Sequence, residues 1–151
     1  MKPLRHPAIH ALLLPALAFP NLAAAGSANA NLSCRGSGSH AGLKIAADIP
    51  GDQADYTIKL TYGGKEKTWS SLNDPMVVAI DDFKHKVFAV GVGDQFTLYA
   101  EPASVKSSER HGAVYATFRA YVSAHKPGTD ISKADNHLSR VAVSCTYDYH
   151  V

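Results

Sequence analysis

Near the C-terminus of this 151-residue chain stands Val141-Ala-Val-Ser-Cys-Thr-Tyr-Asp-Tyr149, in which apolar and polar side chains alternate. A period of two is typical of a β-strand with one face in a core and the other in water. The apolar face carries Cys145, and the only other cysteine is Cys34. We therefore expect a disulfide between the N- and C-terminal strands, with the two Cα atoms about 4.4 to 6.8 Å apart.

The same alternation recurs along the chain and predicts an all-β domain. Eight main strands are expected, with a short extra strand around Cys34: residues 43–49, 55–62, 65–71, 76–81, 86–92, 95–101, 113–125 and 138–149. Turn residues such as Gly63-Gly64 and Pro127-Gly128 separate them at short intervals. Many short strands with close turns indicate one small antiparallel barrel or sandwich, closed by the disulfide.

Two glycine-containing turns predict strand register. If Gly63-Gly64 is a two-residue loop, Ile58 faces Trp69, and the single tryptophan lies in the sheet core. A two-residue loop at Gly93-Asp94 makes a second hairpin. Its expected pairs are Gly91 with Phe96 and Phe88 with Tyr99.

Two long connections are expected, at residues 102–112 and 125–137. Pro102 could begin a short helix, but the serines that follow it favour a polar loop at least as strongly. Asp81-Asp82, followed by His85, is interpreted as a charged hairpin loop, and Arg35-Gly-Ser-Gly-Ser-His40 as a connector rather than a catalytic serine motif.

The first 30 residues have the pattern of a secretory signal. Lys2 and Arg5 precede an apolar stretch, and the segment ends in small residues, which predicts cleavage after Ala30 or, as a second choice, after Ala25. The expected domain is then residues 31–151. The signal predicts export to the periplasm or to the exterior of the cell. Both are oxidising environments, in which a cysteine pair forms a disulfide.

The charge balance gives no reason to expect a nucleic-acid partner. The chain has 15 Lys and Arg residues against 13 Asp and Glu. Two of the basic residues leave with the signal, so the remaining domain is formally neutral and has no basic cluster for phosphates.

No motif in the sequence predicts catalytic, cofactor-binding or metal-binding residues. The six histidines after residue 30 never stand two, three or four positions apart, so no strand or helix segment presents a local pair of metal ligands. The sequence therefore leaves open whether the protein is an enzyme, and the lack of such motifs favours a protein that is not one.

A candidate binding surface comes from the two long connections and the strand between them. It comprises Arg110, His111, Tyr115, Arg119, Tyr121 and Lys133. Tyrosine and arginine are common in contact surfaces. Because residues 113–125 form one long strand, the two connections should lie at its opposite ends, so that a single small ligand could not touch both.

The leading hypothesis is a soluble exported protein, a non-catalytic binding or inhibitor-type module that holds a protein or a small molecule through loops or a sheet face. One alternative is a periplasmic or secreted hydrolase whose residues come from distant strands. A second is a small outer-membrane barrel, suggested by the alternating C-terminal strand, although most predicted strands are shorter than the 9 to 11 residues that such barrels use.

Overall fold

The computed structural model describes residues 29–50, 56–74 and 77–150. In this part of the chain there are ten strands: β1 (Asn29–Gly36), β2 (Lys44–Pro50), β3 (Thr57–Tyr62), β4 (Lys65–Ser70), β5 (Val77–Asp82), β6 (Val87–Val92), β7 (Phe96–Ala100), β8 (Lys106–Arg110), β9 (Ala113–His125) and β10 (His137–Tyr149). The only helical segments in these ranges are short 3-10 turns, and none of them could cross a membrane.

All ten strands belong to one antiparallel sheet, which curls into a nearly closed barrel. Its order is β4-β3-β2-β1-β10-β9-β7-β6-β5, and β8 pairs with β9 outside this path. Most strands lie beside their neighbours in sequence, and β1 pairs with β10. The predicted all-β barrel is thus confirmed, and the strand around Cys34 is a full strand rather than a short one.

The disulfide between Cys34 and Cys145 is confirmed. The two residues lie directly opposite each other in the β1–β10 ladder, and both are buried. Their Cα atoms are 4.1 Å apart, just below the range expected from the sequence. The reason is that they are directly opposed on adjacent strands, where the close type of antiparallel pair has a Cα separation of about 4.5 Å.

The barrel interior is filled by the apolar side of each alternating strand. Trp69, at 1% exposure, packs beside Ile58 as predicted, and its ring lies 5.2 Å from that of Phe96. The other largest fully buried side chains are Phe88, Leu32, Leu43, Ile45, Leu60, Leu98, Val92 and Val122. Burial of this apolar surface supplies the main favourable contribution to folding.

Of the two predicted hairpins, the first is confirmed and the second is wrong by one residue. Gly63 and Gly64 have φ angles of 58° and 75°, which suit glycine, and Ile58 pairs with Trp69. In the second hairpin Val92 pairs with Phe96, so three residues, 93–95, form the loop. A shift of one residue would have turned Phe96 away from the core, and burial therefore selects the observed register.

The segment 102–112 is neither a helix nor a long loop. Pro102–Ser104 forms one 3-10 turn, and β8 follows it and pairs with the first half of β9, while β7 pairs with the second half. Every residue of β8 is exposed. Because its sequence, Lys-Ser-Ser-Glu-Arg, has no alternating apolar side chains, only the pairing with β9 reveals it as a strand.

The last gap in the barrel lies between β4 and β5, the two strands at the ends of the sheet order. Their pairings show that both run in the same direction, so an antiparallel ladder cannot form between them. Side chains of β4 bridge the interior instead. Trp69 Nε1 and Lys67 Nζ both donate hydrogen bonds to Gln95 Oε1, at 3.1 and 2.8 Å.

The predicted signal segment, residues 1–30, lies outside the described residues except for its last two. Asn29 and Ala30 belong to β1 and pair with Pro50 and Ile49 of β2. The cleavage position stays a prediction.

Candidate functional site

A cavity of about 250 Å³ opens at one end of the barrel, where β1 and β9 begin and β2 and β10 end. Its lining residues come from five strands and two connecting segments: Ala30, Ile49, Pro50, Tyr56, Ala79, Asp81, Phe83, Val114, Tyr147 and Tyr149. Four of them are aromatic and one is a carboxylate. Apolar concave sites with a few polar groups are typical ligand sites.

The β5–β6 turn places Phe83 in this cavity. Phe83–His85 is a 3-10 turn, and the Asp82 side chain accepts a hydrogen bond from the backbone N–H of His85. Lys86 then reverses the chain with a φ of 60°. As a result Phe83 is only 8% exposed, with its ring centroid 4.7 Å from that of Tyr147.

The polar centre of the cavity is a hydrogen bond from the Tyr147 hydroxyl to Asp81 Oδ2, 2.6 Å long. Tyr147 is buried, whereas Asp81 is exposed at the rim. Burial, and then the hydrogen bond to Asp81, raise the pKa of Tyr147 above its ordinary value. The hydroxyl therefore stays protonated at neutral pH and serves as a donor.

Asp81 is the one charged residue among the described lining residues. Its neighbour Asp82 points to a different partner, because Asp82 Oδ2 lies 2.7 Å from His85 Nδ1 on the exposed side of the turn. The side-chain and backbone hydrogen bonds from His85 lower the pKa of Asp82. The charged hairpin expected at residues 81–86 is thus confirmed as a hairpin. Its two carboxylates have different partners, because Asp81 accepts a hydrogen bond from Tyr147 and Asp82 accepts one from His85.

The structure brings together part of the surface predicted from the sequence. Tyr115, Arg119 and Tyr121 share the outward face of β9. Arg119 forms an ion pair with Glu101 at 2.6 Å, and Tyr121 lies beneath the guanidinium of Arg140, 4.9 Å from the ring centroid.

The remaining predicted surface residues lie apart from that face. Arg110 and His111 lie at the turn between β8 and β9, and Lys133 lies in the connection between β9 and β10 at the other end of the barrel. The β8–β9 turn and Lys133 thus lie at opposite ends of β9, whereas the rest of residues 102–112 runs back along that strand as a 3-10 turn and β8. Whether any of these residues binds a partner stays a prediction.

An apolar outer surface next to Tyr121 was not anticipated. Exposed Val78, Ile80 and Tyr99 line a shallow groove of about 280 Å³ on β5, β6 and β7, and the Tyr99 ring lies 5.7 Å from that of Tyr121. The alternation of β5 contained the signal, because Val78 and Ile80 take the face opposite Ala79.

Strand pairing also joins two histidines that are far apart in sequence. His125 and His137 are register partners on β9 and β10, and their ring centroids are 5.0 Å apart. Within residues 29–50, 56–74 and 77–150, however, no three His, Cys, Asp or Glu side chains are grouped so that they could hold a metal ion.

The cavity could not be predicted from the sequence because its residues are distributed over most of the chain. Alternation places Tyr147 and Tyr149 on the same face as Cys145, which was visible in the sequence. Their meeting with Phe83 and Asp81 depends on the strand order, for which the sequence has no local signal.

Comparison with known proteins adds no further assignment. No protein-family model matches the chain, and neither the curated protein sequences nor the solved structures contain a significant match. The class that can be stated is therefore structural: a disulfide-linked antiparallel β-barrel with a cavity at one end.

Proposed function

We propose that the protein is an exported, non-catalytic binding protein that holds a small ligand in the cavity at the end of the barrel. The observation that carries the proposal is the cavity itself, in which Tyr56, Phe83 and Tyr147 surround space beside a single carboxylate. The cavity is open at the barrel end, and concave sites lined by aromatic side chains with a few polar groups are typical ligand sites.

The frame around the cavity supports binding. The lining residues lie mainly on strands of one sheet, and Phe83 is fixed by ring contacts to Phe88, Phe118 and Tyr147. Groups held this way lose little freedom when a ligand enters, which favours affinity. The disulfide lies on the same two strands as Ala30 and Tyr147, and it ties them together.

The chemistry of the cavity favours binding over hydrolysis. Asp81 could transfer protons, but the hydroxyl that it binds, that of Tyr147, is kept neutral by its raised pKa and is not an activated nucleophile. Two carboxylate–histidine pairs occur among the described residues, Asp82 with His85 and Asp148 with His150. Both are exposed, and neither lines the cavity.

The outer surface supports a water-exposed protein rather than an outer-membrane barrel. Membrane barrels have an apolar outer band and a polar interior. Here the inward side chains are apolar, while one row across the outer face contains Lys44, Arg35, Ser144 and Arg119. Appearance of the protein in the detergent-free exported fraction tests this part of the proposal.

Ligand binding is tested by a fragment titration followed by NMR. Small aromatic compounds of positive, neutral and negative charge are added to the oxidised ¹⁵N-labelled protein, and at least one is expected to shift the amide signals of Ala30, Ala79 and Tyr149. Ala79→Phe fills the cavity from β5 and should abolish the shifts. Ala142→Phe, the same change on the outer face of β10, is the matched control and should preserve them.

The proposal is wrong if no compound of any charge shifts the cavity signals at millimolar concentration. It is also wrong if Ala79→Phe and Ala142→Phe weaken binding equally, since the bound compound would then lie outside the cavity.

A further inference from the structure

We infer that the ligand of the end cavity is a small organic cation, an ammonium group attached to an apolar body. This inference rests on the proposed function, because it assigns a ligand class to the same cavity. It follows from three properties of the lining: its charge, its aromatic side chains and its size.

The charge of the lining selects a positive ligand. Asp81 is the one carboxylate among the described lining residues, and no Lys, Arg or His is among them to neutralise it. Tyr147 donates a neutral hydrogen bond, which orients Oδ2 but leaves the carboxylate charge in place. A carboxylate has about four lone-pair sites, so Asp81 retains capacity to accept hydrogen bonds from an ammonium group.

The aromatic residues favour an organic cation over a metal ion. Tyr56, Phe83, Tyr147 and Tyr149 line the cavity with Asp81. Aromatic rings attract ammonium groups through their electron-rich faces, and ligand sites for alkylated ammonium groups are built from such rings. Calcium and magnesium instead require six or more oxygen ligands, a number that one carboxylate and its tyrosine neighbours do not provide.

The size and the remaining lining limit the body of the ligand. The cavity volume of about 250 Å³ lies below the roughly 300 to 1,000 Å³ of sites for drug-sized molecules. Ala30, Ile49 and Val114 offer apolar contacts and no hydrogen-bonding side chains. A short aliphatic or phenylalkyl ammonium matches these walls better than a polyamine, whose further charges would lie against apolar side chains.

Three probes with the same ring and similar chains separate charge from shape: phenethylammonium, 2-phenylethanol and 3-phenylpropanoate. Their dissociation constants are measured on the oxidised wild-type protein from the cavity amide shifts. We expect phenethylammonium to bind about tenfold more tightly than 2-phenylethanol, and 3-phenylpropanoate to bind most weakly. Equal affinity for the cation and the alcohol would overturn the inference.

Two variants locate the origin of the preference. Asp81→Asn keeps the size and a hydrogen-bond acceptor but removes the charge, and it should reduce the preference for the cation to about twofold or less. Asp94→Asn makes the same change at an exposed position in the β6–β7 loop and should leave the preference intact. An unchanged preference in Asp81→Asn would overturn the inference.

The outcomes distinguish this inference from the proposed function. If 2-phenylethanol or 3-phenylpropanoate binds in the cavity as well as the cation does, the cavity is a ligand site but not one for cations. If none of the three binds there, this inference fails, and the fragment titration described above decides the proposed function separately. Should Asp81→Asn not fold, the comparison of the three probes on the wild-type protein still decides the matter.

Discussion

The two ends of the barrel differ in how side chains fill them: one end is bridged by hydrogen bonds, and the other contains the cavity. At the end that contains the β6–β7 and β9–β10 connections, side chains of β4 reach across: Trp69 and Lys67 bind Gln95, and Lys65 Nζ donates to the carbonyl of Gly128 at 3.2 Å. At the opposite end the aromatic side chains leave a cavity, and the Tyr147–Asp81 hydrogen bond lies at its wall.

Under the proposed function, this difference assigns stability to one end of the barrel and binding to the other. Hydrogen bonds at this bridged end join β4 to the β6–β7 and β9–β10 loops, which lie far from β4 in the strand order of the sheet. Binding sites instead require unfilled space and some exposed polar groups. The bridged end can hold the shape of the barrel while the cavity end remains open to a ligand.

Loss of the disulfide is expected to have the largest effect, because it joins the first and last strands of the barrel. The double variant Cys34→Ala, Cys145→Ala should lower the free energy of unfolding by as much as about 4.7 kcal/mol, the value for closing a loop of about 100 residues. Urea unfolding of the variant and of the oxidised wild type measures it. The native oxidised protein should also contain no reactive thiol, and labelling of both cysteines before reduction would contradict the bond.

At the bridged end, Gln95→Leu should destabilise the protein by about 1 to 3 kcal/mol, because it leaves the indole N–H of Trp69 and the ammonium of Lys67 without their acceptor. Urea unfolding gives the value. Thr97→Val, an exposed change on the same hairpin, is the control and should cost much less. Equal losses would mean that the hydrogen bonds to Gln95 do not support this end.

At the cavity end, Tyr147→Phe should cost only about 1 kcal/mol at pH 8, since Asp81 is exposed and water can replace the hydroxyl. The wild type should lose further stability as the pH rises above about 10, the pKa of an unfolded tyrosine. The reason is that the folded state, with a raised Tyr147 pKa, holds this proton more tightly than the unfolded state does.

The check on Tyr147 is a series of urea unfolding curves between pH 8 and pH 11. Tyr147→Phe should show a weaker loss at alkaline pH than the wild type, whereas Tyr115→Phe, at a half-exposed position on β9, should follow the wild type. The same alkaline loss in all three proteins would argue against the raised pKa.

Charge reversal in the connections should have the smallest effect and should depend on the end. Arg110→Glu, beside the cavity end, should raise the affinity for phenethylammonium by about twofold at most, because exposed charges are screened within about 10 Å at 0.1 M salt. Lys133→Glu, at the bridged end, should leave that affinity unchanged. Equal changes from both variants would show that the ends do not act separately.

The parts of the fold that follow from local patterns could be predicted. Alternation placed Cys145 in the core, and the Gly63-Gly64 turn placed Trp69 there opposite Ile58, because positive φ angles suit glycine. The β6–β7 register was missed because Gly93-Asp94 also fits a three-residue loop. Only the burial of Val92 and Phe96 on the same face decides between them.

The cavity could not be predicted from local patterns, because its residues meet only through the strand order of the barrel. Asp81 was interpreted together with Asp82 as hairpin charge, although its parity along β5 places it on the same face as Val77 and Ala79. That Asp81 meets Tyr147 depends on which strands neighbour each other around the barrel. Strand β8 was missed for a related reason, since its side chains are all exposed and its pairing with β9 is the only thing that defines it.

The pairing of β1 with β10 also determines when the barrel can be completed. A chain that emerges N-terminus first, from a ribosome or an export channel, presents Asn29–Gly36 long before His137–Tyr149. During that interval β1 can form its ladder with β2, but its other edge and the thiol of Cys34 have no native partner. Such long-range pairings form slowly and leave strand edges open to aggregation. The barrel can therefore be completed only after β10 has emerged. The Cys34–Cys145 disulfide forms only once β10 has paired with β1.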